Sequence, residues 1–551
     1  MLDPLPQESW SRRAAIHLLN RAGFGGSPDE QEALFRLGEE SGIEAAVDSL
    51  LETTEEWAEQ PWPDWAGADL DPNGDFIDLQ GSLSYDNGNR NRRGQNIRRR
   101  ELTRWYFASL KEGQPLAAKL LKFFTDHFAI DSMASGQYFR FIALFRYFEM
   151  LRKHAAGNVA GSDGPFEGDE RLVPAGHYGN FRTLVNHVSW SITMVRTLDL
   201  YVSTNRSINE NFGRELLELF TLGVGSAFTD DNDDYTEEDV GISASAFTGR
   251  KIYGYRYPNN TTNGPYPAAV WQNSNQQDLS PKTYDDPEND VNDIKFIGNL
   301  AMPDGSDVVD GDDILELIFN STRCAKHLSW KLWRYFASPN PSKELVAALA
   351  LRFRDTHDYE IRPFLKDIFL SEEFYDDAVI NSQIKDAGDI LTILEKQLEA
   401  PLISRDAIED VMQQLGYEIL FPPSIAGWPE PDGDGNTWLA TGSMVFRMNM
   451  PSIWSHRNFN VLTNGRTRNS LDEYPEVDWD KIAPRELRTI ENFPLLIDAL
   501  TKRFLPNKTL RKSQIRTLYQ RYSVISEQLD SLQGVKELIR LLLALPEYQL
   551  Q

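Results

Sequence analysis

NENFGRELLELFTLG, Asn209 to Gly223, decides the fold class. At helical spacing Phe212, Leu216, Leu219 and Phe220 share one face, while Asn211, Glu215 and Glu218 run along a polar stripe. An amphipathic helix is the reading. The same apolar spacing recurs in LAAKLLKFFTDHFAI (116–130), HLSWKLWRYFA (327–337), PFLKDIFLSEEF (363–374) and GVKELIRLLLALPEY (534–548). No series of alternating runs is long enough for a large sheet. FTGRKIYGYRYPNN (247–260) gathers aromatic and β-branched residues ahead of turn residues, which predicts one small hairpin.

The chain therefore reads as mainly α, a large multi-helical globular unit with long loops and one small β-hairpin. Residues 61–95, 155–176 and 256–292 are rich in Pro, Gly, Asp and Asn. Loops of that length usually form lids, binding loops or disordered segments. The expected organisation is a main helical domain over 1–480, with room for two lobes, and a C-terminal helical segment over 481–551 packed on it. PFLKDIFLSEEF and the closing LLLALPEYQL echo each other: an apolar helix, a break, then an aromatic.

Composition limits the function. With 551 residues, 41% of them hydrophobic and 11% aromatic, the chain can bury a sizeable core. A formal net charge of −27 argues against binding nucleic acid or anionic lipid, both of which need clustered Lys and Arg. Cys324 is the single cysteine, so neither an intramolecular disulfide nor a cysteine-built metal site is available. The apolar runs are too short for a membrane span. MLDPLPQESW has no basic and apolar leader, so no signal peptide is expected in the sequence as it stands.

Three segments carry candidate chemistry. In the first, HLLNRAGFGGSPDE (17–30), His17 and Arg21 share a helical face, and Ser27, Pro28 and Glu30 supply a cap for the next helix. In the second, Asn211, Arg214, Glu215 and Glu218 crowd one stripe. Two carboxylates a turn apart suit a divalent cation or acid–base work, and suit an exposed face or a buried ion-pair network equally well. In the third, FFTDHFAID, His127 lies among aromatics beside Asp126, which fits either a hydrogen-bonded core histidine or a functional one, a general base or metal ligand. The rigid FPPSIAGWPEPDGDGNTW adds Trp428 and Trp438, either stacking platforms for a sugar or core plugs.

Taken in order, HLLNRAGFGGSP, DHFA, LDLYVSTNRSINENFGRELLELFTLGVG, YTEEDV, AFTGR, KFIG, HLSWKLWRYF, FPPSIAGWP and LPEYQLQ resemble the bacterial domain of unknown function 1800 family over nearly the whole chain. The resemblance implies a mainly helical, usually exported protein, often encoded beside an alkaline-phosphatase-like partner. Phe220 and Arg250 stand where many members carry histidine and tryptophan, and Asp230–Asp234 reads as an inserted acidic loop.

Two readings follow. In one, a hydrolase-like enzyme acts on an anionic or carbohydrate substrate: His17, His127, Glu215 and Glu218 do the chemistry, while Arg21, Arg214, Asn211, Trp428 and Trp438 bind substrate. In the other, a non-catalytic assembly or accessory protein for the exported partner, or a carbohydrate-binding scaffold using Trp428 and Trp438, does no chemistry, and the same charges order its helices. Both predict that His17 and Arg21 face Glu215 and Glu218.

Overall fold

The computed structural model describes residues 2–54, 57, 101–111, 114–130, 141–157, 178–203, 207–230, 235–248, 250–253, 268–271, 311–400, 408–417, 420–428, 441–455 and 477–551. Helix dominates them. The chain opens with α1 (Arg12–Ala22), α2 (Pro28–Ser41) and α3 (Ile43–Leu51). The cap between α1 and α2 forms as the sequence predicts. Ser27 Oγ accepts from the Glu30 amide, and the Glu30 carboxylate accepts from the Ser27 amide at 2.7 Å.

Gly23 closes α1 for a packing reason. A Cβ there would sit 2.9 Å from Pro115 Cβ, at the start of α4 (Pro115–His127). α4 is buried on nearly every side, and α5 (Phe141–Ala156) packs along it. Next come α6 (Phe181–Trp190), α7 (Ile192–Thr197), α8 (Asn211–Glu215) and α9 (Glu237–Ala246). A second run holds α10 (Gly311–Asn320), α11 (Thr322–Phe336), α12 (Lys343–Leu351), α13 (Ile361–Leu370) and α14 (Ala387–Leu398). α15 (Ile408–Gln414), α16 (Thr441–Ser455), α17 (Phe493–Phe504), α18 (Lys512–Gln528) and α19 (Ser531–Leu543) complete the chain. Leu18 of α1, Phe124 of α4, Phe364 of α13 and Leu538 of α19 belong to one buried apolar cluster.

The segment after α8 departs from simple helical spacing. Leu216–Thr221 is a π-turn, in which the Leu222 amide donates to Leu217 O. The inserted residue rotates the face. Leu217 is fully buried and Leu219 only partly, the reverse of what a 3.6-residue period gives. The wide turn frees carbonyls, and other helices answer them. His127 bonds Phe220 O at 3.0 Å, His327 bonds Thr221 O at 2.9 Å, and Arg323 donates to Gly223 O and Gly225 O.

Sheet is minimal. Arg250–Tyr253 pairs antiparallel with Ala268–Trp271, so the partner strand lies beyond the 247–260 window in which the hairpin was expected. The helical echo is real in form. α13 ends in a 3-10 turn over Glu372–Tyr375, and α19 ends in one over Pro546–Gln549. The second of these leads to a short ladder. The Gln551 amide donates to Gln383 O at 2.8 Å and the Lys385 amide to Gln549 O at 2.8 Å, laying the closing residues against the entrance to α14.

Candidate functional site

A cavity of about 150 Å³ opens between α4, α11, the 382–389 turn and the loop carrying Trp428. Helical spacing builds two of its walls. α4 presents Lys119, Lys122, Phe123 and Asp126, and α11 presents Lys331, Arg334 and Tyr335. Asp386 caps α14 by accepting from the Asp389 amide at 2.9 Å, which places both carboxylates at the helix N-terminus, where its dipole favours negative charge. Tyr417, Trp428, Ser382 and Gln551 close the rest.

The inner end is an ion-pair network. Lys119 Nζ lies 2.7 Å from Asp389 Oδ1, and Lys122 Nζ lies 3.2 Å from the same oxygen and bonds Asp386 as well. Gln551 Nε2 donates to the other Asp389 oxygen at 2.7 Å. Burial works against the Asp389 charge, but Lys119 and Lys122 hold its carboxyl far below the usual range. Burial also opposes the Lys122 charge, and Asp386 and Asp389 together carry that ammonium above its ordinary value.

Asp126 behaves differently. Burial lifts its carboxyl to about 6, opposed by the Trp428 amide, which donates to Oδ1 at 2.6 Å, and by the charge of Lys331. Gly427 makes that contact possible. Its φ is +88°, and a Cβ would meet Asp126 Oδ1 at 2.6 Å. The Trp428 ring stacks on Tyr417 with centroids 4.6 Å apart, so one aromatic face is already covered.

The residues singled out from sequence divide into those at this cavity and those away from it. Trp428 lines it. Trp438 lies outside the described residues, as do most of the three long loops. Arg21 is fully buried behind the cavity's inner end. Its Nε donates to Phe336 O at 2.9 Å and its Nη2 to Tyr335 O, so it closes the C-terminus of α11, whose last carbonyls have no helical donor. Burial brings its guanidinium down to about 10, and the carboxylates that oppose this are Asp389 and Asp386. The expected partnership with Glu215 and Glu218 is therefore replaced: the acids sensed by Arg21 cap α14. His17 is buried against Phe374, donates from Nε2 to Phe374 O at 3.0 Å, and is pushed by burial and Arg21 to about 3.

His127 is the core histidine of the two sequence alternatives in its contacts. It stacks on Phe123, meets Phe128 and Phe181 edge-on, and is held neutral by burial. Its Nε2–H must donate to the Phe220 carbonyl, which assigns the tautomer. Asn211, Arg214, Glu215 and Glu218 stay on the α8 stripe. Arg214 grips Glu237 through two bonds of 2.9 and 2.7 Å and reaches Glu210 and Glu218 at 3.3 and 3.5 Å. Glu215 is half-buried, its carboxyl raised by burial and then by the Glu218 charge. Among the described residues, no group of three His, Cys, Asp or Glu side chains is placed to hold a metal ion, and no helix is long and apolar enough to cross a membrane.

Sequence reasoning passed over Lys119, Lys122, Asp386, Asp389, Lys331 and Arg334. One signal was available. Lys119 and Lys122 interrupt the apolar run Leu116–Phe124 of α4, and a buried lysine requires an anion. Asp386 and Asp389 gave no comparable sign, since acids in a first helical turn are ordinary caps.

Over residues 17–550 the chain matches the model of a family described as protein of unknown function (DUF1800), and it belongs to that family. No curated protein and no solved structure matches it.

Proposed function

We propose that the cavity is an acid–base active site, hydrolase-like in its chemistry, for a small anionic substrate. One observation carries the reading: Asp126 lines a cavity beside cations, with its carboxyl lifted by burial to about 6. An acid titrating near neutrality can both give and take a proton there, which is what general acid–base catalysis needs. The charge of the lining agrees. The lining carries four cationic side chains, Lys119, Lys122, Lys331 and Arg334, and three carboxyls, Asp126, Asp386 and Asp389. In a chain of formal charge −27 this is a local positive site, suited to draw in an anion.

On this reading the proton-transfer role assigned in sequence to Glu215, Glu218, His17 and His127 passes to Asp126. The Trp428 amide fixes the reactive oxygen, and the Lys119–Asp389–Lys122–Asp386 network keeps the α4 wall rigid. Asp126 would deprotonate an attacking water or protonate the leaving group, while Lys331 and Arg334 hold the anionic end. The Trp428 side chain supplies an apolar wall against which a carbohydrate ring can also lie.

The accessory-protein reading has its own support. The buried network is satisfied internally, and Arg21, His17 and His127 all bond backbone carbonyls, as ordering elements would. An assay of the full chain on chromogenic phosphoesters, carboxylesters and glycosides separates the two. The active-site reading expects turnover that Asp126→Asn abolishes while the unfolding midpoint holds or rises. Turnover surviving in D126N, or no turnover on any class together with a midpoint unmoved by inorganic phosphate or acetate, favours the accessory role.

A further inference from the structure

We infer that the cavity takes a hydroxylated aromatic ring, a phenol in its simplest form, whose hydroxyl answers both Gln551 and Ser382. This rests on the cavity being a ligand site, adds the class of ligand, and draws on none of the charges in the lining. Gln551 supplies a buried acceptor without a donor. It is only 3% exposed and lines the cavity. Its Nε2 is committed to Asp389 Oδ2 at 2.7 Å, an oxygen that can only accept, so the amide cannot be flipped and Oε1 is fixed as the acceptor. That Oε1 has no hydrogen-bond partner, and neither does the buried Oγ of Ser382 on the same lining. The two come from adjoining positions of one ladder. Gln551 and Gln383 exchange backbone bonds of 2.8 and 3.2 Å, and Ser382 directly precedes Gln383. Buried polar atoms in native proteins are nearly always satisfied by protein, water or ligand. The amide oxygen needs a donor, and the serine hydroxyl has a proton to give. One ligand hydroxyl can donate to the first and accept from the second.

The apolar walls select the body that carries the hydroxyl. Phe123 and Tyr335 meet with ring centroids 5.1 Å apart, and Tyr417 and Trp428 with centroids 4.6 Å apart, so two aromatic pairs contribute to the lining. Walls of this kind favour a flat aromatic guest, packed offset or edge-on. The volume of about 150 Å³ is that of a site able to hold a single benzene-sized ring. Water answers the polar pair as well as a phenol does, but it gains nothing from the aromatic walls. The two occupants are told apart by ligands that differ only in the hydroxyl proton. Methylating the hydroxyl removes the donor and leaves the Gln551 oxygen unpaired, which discriminates strongly.

The test is isothermal calorimetry on the full chain with phenol, its methyl ether anisole, and toluene. All three are uncharged and close in size, so the outcome is independent of the charges around the site. The wild type should bind phenol roughly tenfold or more tighter than either analogue. Ser382→Ala removes the donor to the hydroxyl oxygen, and it should narrow the phenol-to-toluene ratio while leaving toluene binding little changed. Equal affinity for phenol and anisole would mean that water satisfies Gln551, and it overturns the inference. A ratio that S382A leaves untouched puts the hydroxyl elsewhere and overturns it too, as does the absence of binding by all three at millimolar concentration. Selective binding without any turnover keeps this inference and sinks the acid–base role of Asp126; turnover without selectivity does the opposite.

Discussion

Two charged regions use nearly the same side chains to opposite effect. On the α8 stripe, Arg214 faces Glu210, Glu218 and Glu237 with its side chain 31% exposed and that of Glu237 79% exposed. Under α4, Lys119 and Lys122 face Asp386 and Asp389, with the Lys119 and Asp389 side chains only 2% and 4% exposed. In water, an ion pair replaces hydration that was already good. In the interior, each charge has given up its hydration and depends on its partner. The stripe is the conspicuous one in sequence, yet the inconspicuous buried set is where removing a single charge should be felt.

The largest effect should follow from Asp389→Ala. It strips Lys119 of its carboxylate and Lys122 of one of two, leaving buried ammonium groups uncompensated. A loss of about 3–5 kcal/mol is expected, measured by urea unfolding at pH 7.5. A loss below about 1 kcal/mol would show that water reaches these lysines and that the contrast with the stripe is not one of burial.

Acidification probes the same contrast through the histidines. Burial holds His17 and His327 at about 3, well under the unfolded value of 6.5. As pH falls below 6.5 the unfolded chain takes up protons that the folded chain refuses, so stability falls, and it keeps falling until the folded groups titrate near 3. Each histidine should cost about 1 kcal/mol between pH 6 and 5, about 2 kcal/mol for the pair. Unfolding midpoints that stay flat over this range would mean that these rings are hydrated.

Much of the fold was legible because it rests on local rules. The Ser27–Glu30 cap, the apolar faces of α4, α11, α13 and α19, and the two helix-to-aromatic endings follow from spacing and cap chemistry. The Leu217–Leu219 exchange was not legible, since a π-turn is one extra residue that only tertiary contacts reveal. The candidate site was half legible. Trp428 and Asp126 stood in segments whose character drew notice. Arg21 was expected to face Glu215 and Glu218, but it bonds the backbone at the end of α11, and the acids whose charge it feels, Asp386 and Asp389, lie more than 360 residues along the chain. His17, Arg21 and His127 look like catalytic types, and all three answer backbone carbonyls that no reading of sequence could place.

Asp126 tests the border between the two regions, being packed in the interior yet lining the cavity. Its carboxyl is raised by burial to about 6 against an ordinary 3.8. Between those values the folded chain holds a proton that the unfolded chain has released, so this group favours folding at low pH and that contribution is lost as pH rises through 6. Asp126→Asn keeps an acceptor for the Trp428 amide and removes the charge. It should raise stability at pH 8 by on the order of 1–2 kcal/mol, discounted for access from the cavity, and leave it unchanged near pH 3.5. Urea titrations at the two pH values decide it: an equal effect at both would show that the carboxyl titrates normally and would remove the basis for its acid–base role.

The smallest effect belongs to the stripe, and its smallness is the informative part. Arg214 makes two short bonds to Glu237, and the Glu237 hydrogen bonds are the first cause of the rise in its guanidinium pKa. Read by bond count alone, it would outrank Lys119. Yet the Glu237 end stands in solvent, both partners are well hydrated when apart, and salt screens what attraction remains. Arg214→Ala should therefore cost about 0.2–1 kcal/mol, and the cost should shrink further in 0.5 M NaCl. The geometry offers one way to be wrong. Glu215 is half-buried beside Glu218, and its carboxyl is already raised by burial and by that neighbour. If Arg214 chiefly offsets this repulsion, its loss should raise the Glu215 carboxyl further and cost more at pH 8 than at pH 5. A loss above 2 kcal/mol with that pH dependence would place the stripe with the buried charges, and exposure at Glu237 would no longer be what sets the two regions apart.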